Sequence, residues 1–214
     1  MSARTYLGFL PWIVFALVAR QSLEGVAWGG VAAVLTAGLI AIASARTRSV
    51  KELEIFSLAL FFTLAVAGAL NQHDPNGFLQ RYHNGLAVGA LACFAVASLA
   101  FQPFTEQYAR ELVQRKYWNT NRFNRANVEL TLMWAAVFVA IAASQITAGI
   151  IETRLGATIF NWVLPIGLVL LGVRQATLRW TDQFDGETMG LDAMLNQGEL
   201  WEPPPLPGDD QLDF

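Results

Sequence analysis

Long apolar blocks alternate with short polar segments over most of the chain. Six blocks contain mainly apolar and small residues: 6–19, 25–45, 55–70, 85–101, 128–151 and 157–173. A helix needs about 17 to 25 residues to cross the hydrocarbon core of a bilayer. The pattern therefore predicts an all-α, polytopic membrane protein with about six transmembrane helices, of which the first and third are the shortest.

The polar segment between the fourth and fifth blocks, residues 102–127, has a helical pattern of its own. Pro103 ends the preceding helix, and Thr105 is the predicted N-cap of a new one, because a hydroxyl there accepts a hydrogen bond from a first-turn N–H group. Two acidic residues each precede a basic residue by four positions, an order that favours ion pairs on a helix: Glu106 with Arg110, and Glu111 with Arg115. Phe104, Tyr108 and Leu112 share one face. The segment is predicted to form a short amphipathic helix.

The same segment is the most chemically varied part of the chain. We expect its helix to lie in the headgroup layer, held by apolar burial and by attraction to anionic lipid. A docking surface for a protein and a pocket for an anionic headgroup or phosphorylated substrate are the alternatives. The candidate interaction surface consists of Thr105, Glu106, Gln107, Tyr108, Arg110, Glu111 and Arg115.

Composition supports the membrane assignment. Hydrophobic residues make up 54% of the 214 residues and charged residues only 14%, whereas soluble domains contain about 25% charged residues. The mean hydropathy is +0.39. Pro11 and Trp12 interrupt the first block, and no small-x-small cleavage site follows it, so we expect a retained first helix rather than a signal peptide.

The positions of the basic residues predict the orientation. With the N-terminus inside, 11 of the 14 Lys and Arg residues fall in cytoplasmic segments, and only Arg20, Arg81 and Arg154 fall outside. Cytoplasmic loops of membrane proteins carry such an excess of positive charge. Both termini and the segment 102–127 are therefore predicted to be cytoplasmic in a multi-pass membrane protein.

The C-terminal segment differs from the rest of the chain. Residues 181–214 hold nine of the 17 acidic residues, no Lys or Arg, and a PPPLP sequence. Acidic, proline-containing segments of this kind cannot form a packed core. We predict a membrane domain over 1–180 and a mostly disordered cytoplasmic tail over 181–214.

Small residues in two blocks recur at the spacing that lets helices pack closely. In the second block they are Gly25, Gly29, Ala33, Ala37, Ala41 and Ala45, and in the fourth Gly85, Gly89, Cys93 and Ala97. Small residues allow neighbouring backbones to approach each other within a membrane. We expect packing within one chain, with homodimerisation as the alternative, and we expect Cys93 to be a buried packing thiol.

Candidate intramembrane chemistry is sparse. Glu129 is the one acidic residue predicted inside a transmembrane helix, and Arg125 lies four residues before it, where an ion pair forms easily. Together with Asn127, they form the candidate intramembrane polar site. Pro165 removes a hydrogen-bond donor from the sixth helix and predicts a kink.

The sequence offers few groups for catalysis or cofactor binding. Its two histidines, His73 and His83, flank one loop, which does not suit haem held between helices, and a metal site with Asp74 rests on weak spacing. Both lysines, Lys51 and Lys116, lie in loops, which excludes a retinal Schiff base in the last helix. We expect no enzyme activity, cofactor, metal or nucleic-acid partner.

Short motifs recur in order along residues 6–178: Phe9, Leu10, Pro11 and 12–15; Val50, Lys51 and Glu52; Pro103, Gln107 and Arg110; and Trp118, Asn127 and Trp134. These motifs resemble the intracellular septation protein A family of bacterial inner-membrane proteins, which implies an inner (plasma) membrane location. The larger connection between helices four and five, the longer spacing from Asn127 to Trp134 and the acidic tail depart from that pattern. The resemblance implies a role in cell-envelope maintenance or division through contacts with other membrane proteins.

We therefore expect a non-enzymatic integral membrane protein that acts through protein or lipid contacts on its cytoplasmic face. The partners implied are anionic lipid headgroups, other membrane proteins or a second copy of the chain. A small solute transporter or lipid-handling membrane protein, using Glu129 and the kink at Pro165, is the alternative.

Overall fold

The computed structural model describes residues 8–19, 24–47, 50–71, 73–74, 77–111, 113, 115–151 and 153–179. Within these ranges the chain forms helices and connecting turns, without a β-strand. In chain order the helices are α1 (Leu10–Val18), α2 (Gly25–Thr47), α3 (Glu52–Leu70), α4 (Phe78–Ser98), α5 (Phe104–Ala109), α6 (Asn121–Ile150) and α7 (Arg154–Arg179). The predicted all-α class is confirmed.

Four of the described helices, α2, α3, α6 and α7, are long and apolar enough to cross a membrane. Helix α1 has nine described residues. Helix α4 has 21 residues, but its first two turns contain Gln80, Arg81, His83 and Asn84, which lower its mean hydropathy. Four helices thus support the helical membrane class, and the count of six stays a prediction.

Glycines of α2 and α3 bring neighbouring backbones together. Gly29 of α2 lies against Ala19 after α1, Gly30 lies against Ala65 of α3, and Gly68 of α3 lies against Ala27. A Cβ atom on Gly30 would stand 2.6 Å from the backbone nitrogen of Ala65. The first half of the predicted stripe therefore packs α2 within one chain.

Helices α4 and α6 pack closely at one end and through aromatic rings at the other. Gly85 lies against Ile146, and Gly149 lies against Tyr82. Farther along, Phe94 and Phe138 join a buried apolar cluster. The prediction that Cys93 is buried is wrong: its side chain is exposed. The fourth-block stripe contacts α6 at Gly85, and by Cys93 the stripe has turned away from the packed face.

A π-helical segment, Ile159–Val163, precedes Pro165 in α7. The Leu164 N–H group donates to the carbonyl of Ile159, so the Phe160 carbonyl would next face position 165, where proline has no N–H group. The Ser144 hydroxyl of α6 donates to this Phe160 carbonyl at 2.6 Å. The irregularity predicted at Pro165 is therefore a π-helical segment, and its Phe160 carbonyl is hydrogen-bonded by the neighbouring helix α6.

The chain divides into two units, Met1–Val173 and Arg174–Phe214. In the second unit, the described residues 174–179 are helical. The predicted tail over 181–214 lies outside the described residues.

Candidate functional site

Two connecting segments meet at one end of the helices, which we call the polar end: residues 50–54, at the start of α3, and 101–124, from the end of α4 to the start of α6. The Lys51 ammonium lies 3.1 Å from Glu111 Oε1 and 3.8 Å from the centre of the Tyr108 ring. The Glu52 N–H group donates to Gln107 Oε1 at 3.0 Å. These contacts join segments separated by about fifty residues into one surface.

Helix α5 is shorter than predicted and begins two residues earlier. It has six residues with Pro103 at the N-cap, so the prediction of Thr105 as N-cap is wrong. The Thr105 hydroxyl instead donates to the Asn127 carbonyl at 3.0 Å and lies 2.8 Å from the Thr131 hydroxyl of α6. A side chain tied to α6 is unavailable to the first turn of α5.

The apolar side of α5 packs against protein. Phe104 is buried, and its ring contacts the rings of Phe94 and Phe138. The Phe104 N–H group donates to the buried Ser98 hydroxyl at 3.2 Å. The predicted amphipathic helix thus has its described apolar face in the helical core; Leu112, which was predicted to extend that face, lies outside the described residues.

Glu106 and Arg110 form the predicted i,i+4 ion pair. Glu106 Oε1 accepts hydrogen bonds from Arg110 Nε at 3.0 Å and Nη2 at 2.6 Å. The guanidinium carbon lies 5.1 Å from the centre of the Trp118 ring, and that of Arg115 lies 5.9 Å from it. The indole N–H group is fixed by a hydrogen bond to the Val113 carbonyl. Trp118 therefore contacts two cationic side chains.

Sequence reasoning missed the most buried acid of the polar end. Glu54 is 6% exposed, and its carboxylate accepts hydrogen bonds from the Ser44 hydroxyl at 2.9 Å and the Lys51 N–H group at 3.3 Å. Its position three residues after the N-cap residue Lys51 is the acidic half of a capping box, which was the available signal. Burial of its carboxylate depends on α2, which the local sequence does not specify.

Tyr108 lies close to Lys51, Glu54 and Glu111 at the polar end. Its hydroxyl is buried, and among the described residues none gives it a hydrogen bond. Burial raises the pKa of Tyr108 well above its ordinary value, and the nearby carboxylates of Glu54 and Glu111 raise it further. The phenol therefore stays neutral and serves through its ring face, over which Lys51 sits.

An open polar cleft of ≈ 490 Å³ lies beside α5. It is lined by Glu106, Arg110 and Trp118 and by a series of amide and hydroxyl side chains: Asn119, Thr120, Asn121 and Asn124. Phe101, Gln102 and Pro103 complete the lining. The cleft thus combines a cation, several neutral hydrogen-bonding groups and one apolar edge.

The predicted intramembrane polar site is divided by the structure. Arg125 and Glu129 form the predicted ion pair at 3.0 Å, with side chains 83% and 35% exposed. Asn127 is fully buried and donates to the Phe123 carbonyl at 2.8 Å. Because positions two apart on a helix point to different sides, Asn127 belongs to the Thr105 contact and Glu129 to the exposed surface.

The histidines have separate surroundings. His73 lies in an exposed turn, whereas the His83 ring is buried and packs edge-on against Phe15 at 5.9 Å. Among the described residues, no group of three His, Cys, Asp or Glu side chains could hold a metal ion.

Comparison with known proteins yields no match, whether to family models, curated proteins or solved structures. The resemblance to the septation protein A family stays a prediction based on short motifs.

Proposed function

We propose that the chain is a multi-pass membrane protein that acts through contacts made by its polar end, without catalysing a reaction. The observation that carries the proposal is the joining of residues 50–54 and 101–124 by the Lys51–Glu111 ion pair and the Glu52–Gln107 hydrogen bond. A surface built from two loops and fixed by such bonds is ordered before a partner arrives, which lowers the entropic cost of binding.

The proposal includes six crossings, both termini in the cytoplasm, and an inner-membrane location. The excess of Lys and Arg in the segments around residues 46–51 and 110–125 supports this orientation. Segment 102–118 would then lie at the cytoplasmic surface, where Arg115 and Trp118 suit the headgroup layer. A role in cell-envelope maintenance or division rests on the motif resemblance alone.

Transport is the weaker candidate, because Glu129 is paired with Arg125 near the start of α6. The polar cleft is lined by residues up to Asn124 and does not include Glu129. The Phe160 carbonyl in the π segment before Pro165 also accepts a hydrogen bond from the Ser144 hydroxyl, so it is already occupied by a protein group.

Site-specific photo-crosslinking in native membranes tests the proposal. A crosslinking amino acid at Arg115, an exposed residue of the polar end, is expected to yield discrete protein adducts. The same amino acid at Arg154, which is also exposed but lies at the start of α7, is the matched control. Identical adducts from both positions would contradict a specific contact surface.

A charge swap adds a second criterion. Lys51 Nζ and Glu111 Oε1 lie 3.1 Å apart. Lys51→Glu and Glu111→Lys are each expected to weaken the Arg115 adducts, because each replaces this ion pair by two like charges. The double variant restores opposite charges and is expected to restore the adducts. Adducts that are insensitive to all three variants would show that the joined surface is irrelevant to binding.

A further inference from the structure

The polar cleft beside α5 presents a cation whose orientation is fixed. Glu106 occupies two of the N–H groups of Arg110, and a guanidinium carries five. Glu106 itself is buried, whereas the Arg110 side chain is 40% exposed. Glu106 and Arg110 both line the cleft, and the guanidinium N–H groups that Glu106 does not occupy are available to an acceptor there.

Trp118 adds to this arrangement by stacking. Its ring lies against Arg110 and Arg115, and an indole face favours cations. Of these two cations, Arg110 lines the cleft. A guanidinium held by a carboxylate and an indole ring is oriented before a ligand arrives, and its planar N–H edge suits the oxygens of a phosphate group.

The lining of the cleft also supplies uncharged hydrogen-bonding groups. The side chains of Asn119, Asn121 and Asn124 are exposed and line the cleft. Amides both donate and accept, so they suit hydroxyl groups as well as phosphate oxygens. The cleft volume of ≈ 490 Å³ lies within the roughly 300–1,000 Å³ of small-molecule sites.

The edge of the cleft is apolar. Phe101 lines it and is 94% exposed, although a ring of this size is normally buried. It follows α4 by three residues, at the end of a helix whose exposed face is apolar at Val96. A ligand with an apolar portion beside its phosphate would cover this ring, whereas a small soluble anion would leave it in water.

We propose that the cleft binds the headgroup of an anionic phospholipid, with Arg110 contacting the phosphodiester and Asn119, Asn121 and Asn124 contacting headgroup hydroxyls. Glu106 is a positioning residue that orients the guanidinium. The inference rests on the proposed function in that it names the lipid contact of the polar end. The shared chemistry is a phosphate ester that carries hydroxyl groups.

Native mass spectrometry of the full-length protein in mild detergent tests this site. Phosphatidylglycerol and phosphatidylcholine are titrated separately, and the apparent Kd of the first bound lipid is measured. Arg110→Gln is expected to weaken phosphatidylglycerol binding about tenfold, the value of one charge-assisted hydrogen bond. Arg125→Gln is the matched control, because Arg125 also forms an i,i+4 ion pair at 3.0 Å but lies outside the cleft lining; it is expected to change the Kd less than about twofold.

A second variant covers the case in which Arg110→Gln fails to fold. Asn124→Leu fills the cleft from an exposed position and leaves the Glu106–Arg110 pair intact, so it is expected to weaken phosphatidylglycerol binding as well. Equal binding of the two lipids, equal effects of Arg110→Gln and Arg125→Gln, or unchanged binding by Asn124→Leu would overturn the proposal.

Competition with glycerol 3-phosphate and inorganic phosphate distinguishes a lipid from a soluble ligand. Failure of both to displace phosphatidylglycerol supports the lipid headgroup. Displacement by glycerol 3-phosphate with the same dependence on Arg110 retains the phosphate-ester site but overturns its lipid source. Lipid binding is measured without a protein partner, so its loss leaves the crosslinking test unaffected, and the reverse also holds.

Discussion

Two acidic side chains at the start of α3 differ in how much their removal should lower the stability of the fold. Glu54 is buried and accepts two hydrogen bonds, whereas Glu52 is exposed and contributes its backbone N–H group to the Gln107 contact. Both lie in the first turn, where a negative charge interacts favourably with the helix dipole. The comparison therefore isolates burial from the effect of the dipole.

Glu54→Ala is expected to destabilise the protein by about 1–3 kcal/mol, since it leaves the Ser44 hydroxyl and the Lys51 N–H group without their acceptor. Glu52→Ala is expected to change stability by less than about 0.5 kcal/mol, as is usual for surface positions. Thermal unfolding of both variants in the same detergent measures the difference. Equal losses would mean that the carboxylate of Glu54 is not a structural acceptor.

Tyr108 predicts a dependence of stability on alkaline pH. Its folded-state pKa is raised, so the folded protein holds the phenolic proton more tightly than the unfolded chain does. Below the unfolded pKa of about 10, the phenol is neutral in both states, and its ionisation does not affect stability. Stability is lost as the pH rises from there towards the folded pKa.

Tyr108→Phe is expected to remove this part of the alkaline loss and to leave stability at pH 7 unchanged or higher, because the buried hydroxyl has no described hydrogen-bond partner. Unfolding midpoints of the wild type and the variant between pH 8 and about 11 test the difference. Tyr117→Phe, in the same segment, serves as the control for removal of a phenol hydroxyl. A Tyr108→Phe curve parallel to the wild type would contradict the assignment.

At the scale of elements, the contact between α2 and α3 depends on particular glycines. A Cβ atom on Gly30 would meet the Ala65 backbone at 2.6 Å, whereas one on Gly38 would meet only the Leu58 side chain at 3.9 Å. Both glycines lie within α2. The two positions therefore separate the need for space from helix propensity.

Gly30→Ala is expected to destabilise the protein by about 1–3 kcal/mol through forced separation of the helices. Gly38→Ala is expected to be neutral or to stabilise by up to about 1 kcal/mol, because alanine is the better helix former. Unfolding of the two variants in detergent provides the measurement. Tolerance of both substitutions would show that the contact with Ala65 is not tight.

The π segment of α7 couples two helices. Pro165 has no N–H group to offer the Phe160 carbonyl, and the Ser144 hydroxyl donates to that carbonyl instead. Ser144→Ala is expected to cost about 1–2 kcal/mol, and this cost should fall in a Pro165→Ala background, where residue 165 regains its N–H group. A double-mutant cycle of unfolding free energies measures the coupling. Additive effects would disprove the exchange of donors.

At the scale of the whole molecule, helix order places the turn at His73 and the segment at Asn119 at opposite ends of α4. Its 21 residues span about 30 Å at the rise of an α-helix. With the N-terminus inside, a cysteine at 119 should react from the cytoplasmic side and one at 73 from the outside.

The background for this experiment is Cys93→Ser, which removes the single cysteine of the chain. His73→Cys and Asn119→Cys are then treated with a membrane-impermeant thiol reagent in intact cells and in inverted vesicles. Opposite labelling patterns with position 119 protected in intact cells are expected. The reverse pattern would overturn the orientation, and labelling of both positions from the same side would overturn the odd number of crossings between them.

The sequence by itself determined the helical class with helices long and apolar enough to cross a membrane, two of the i,i+4 ion pairs and the polar character of segment 102–127. These features depend on block length, on spacing along one helix and on composition, which are local properties. The Glu106–Arg110 and Arg125–Glu129 pairs are confirmed for that reason. Helix packing through Gly29 was accessible too, since a small-residue stripe has few other uses in a membrane.

Only the tertiary structure decided which polar groups meet. Lys51 contacts Glu111, Thr105 bonds to α6 instead of capping α5, and Glu54 is buried against Ser44. Each of these contacts joins residues on different elements, so no periodicity along one helix encodes it. The cleft arises in the same way, because the approach of α5 to the start of α6 brings Arg110 into one lining with Asn121 and Asn124. That approach is held by the packing of Phe104 against Phe138 and by the hydrogen bonds from Thr105 to α6.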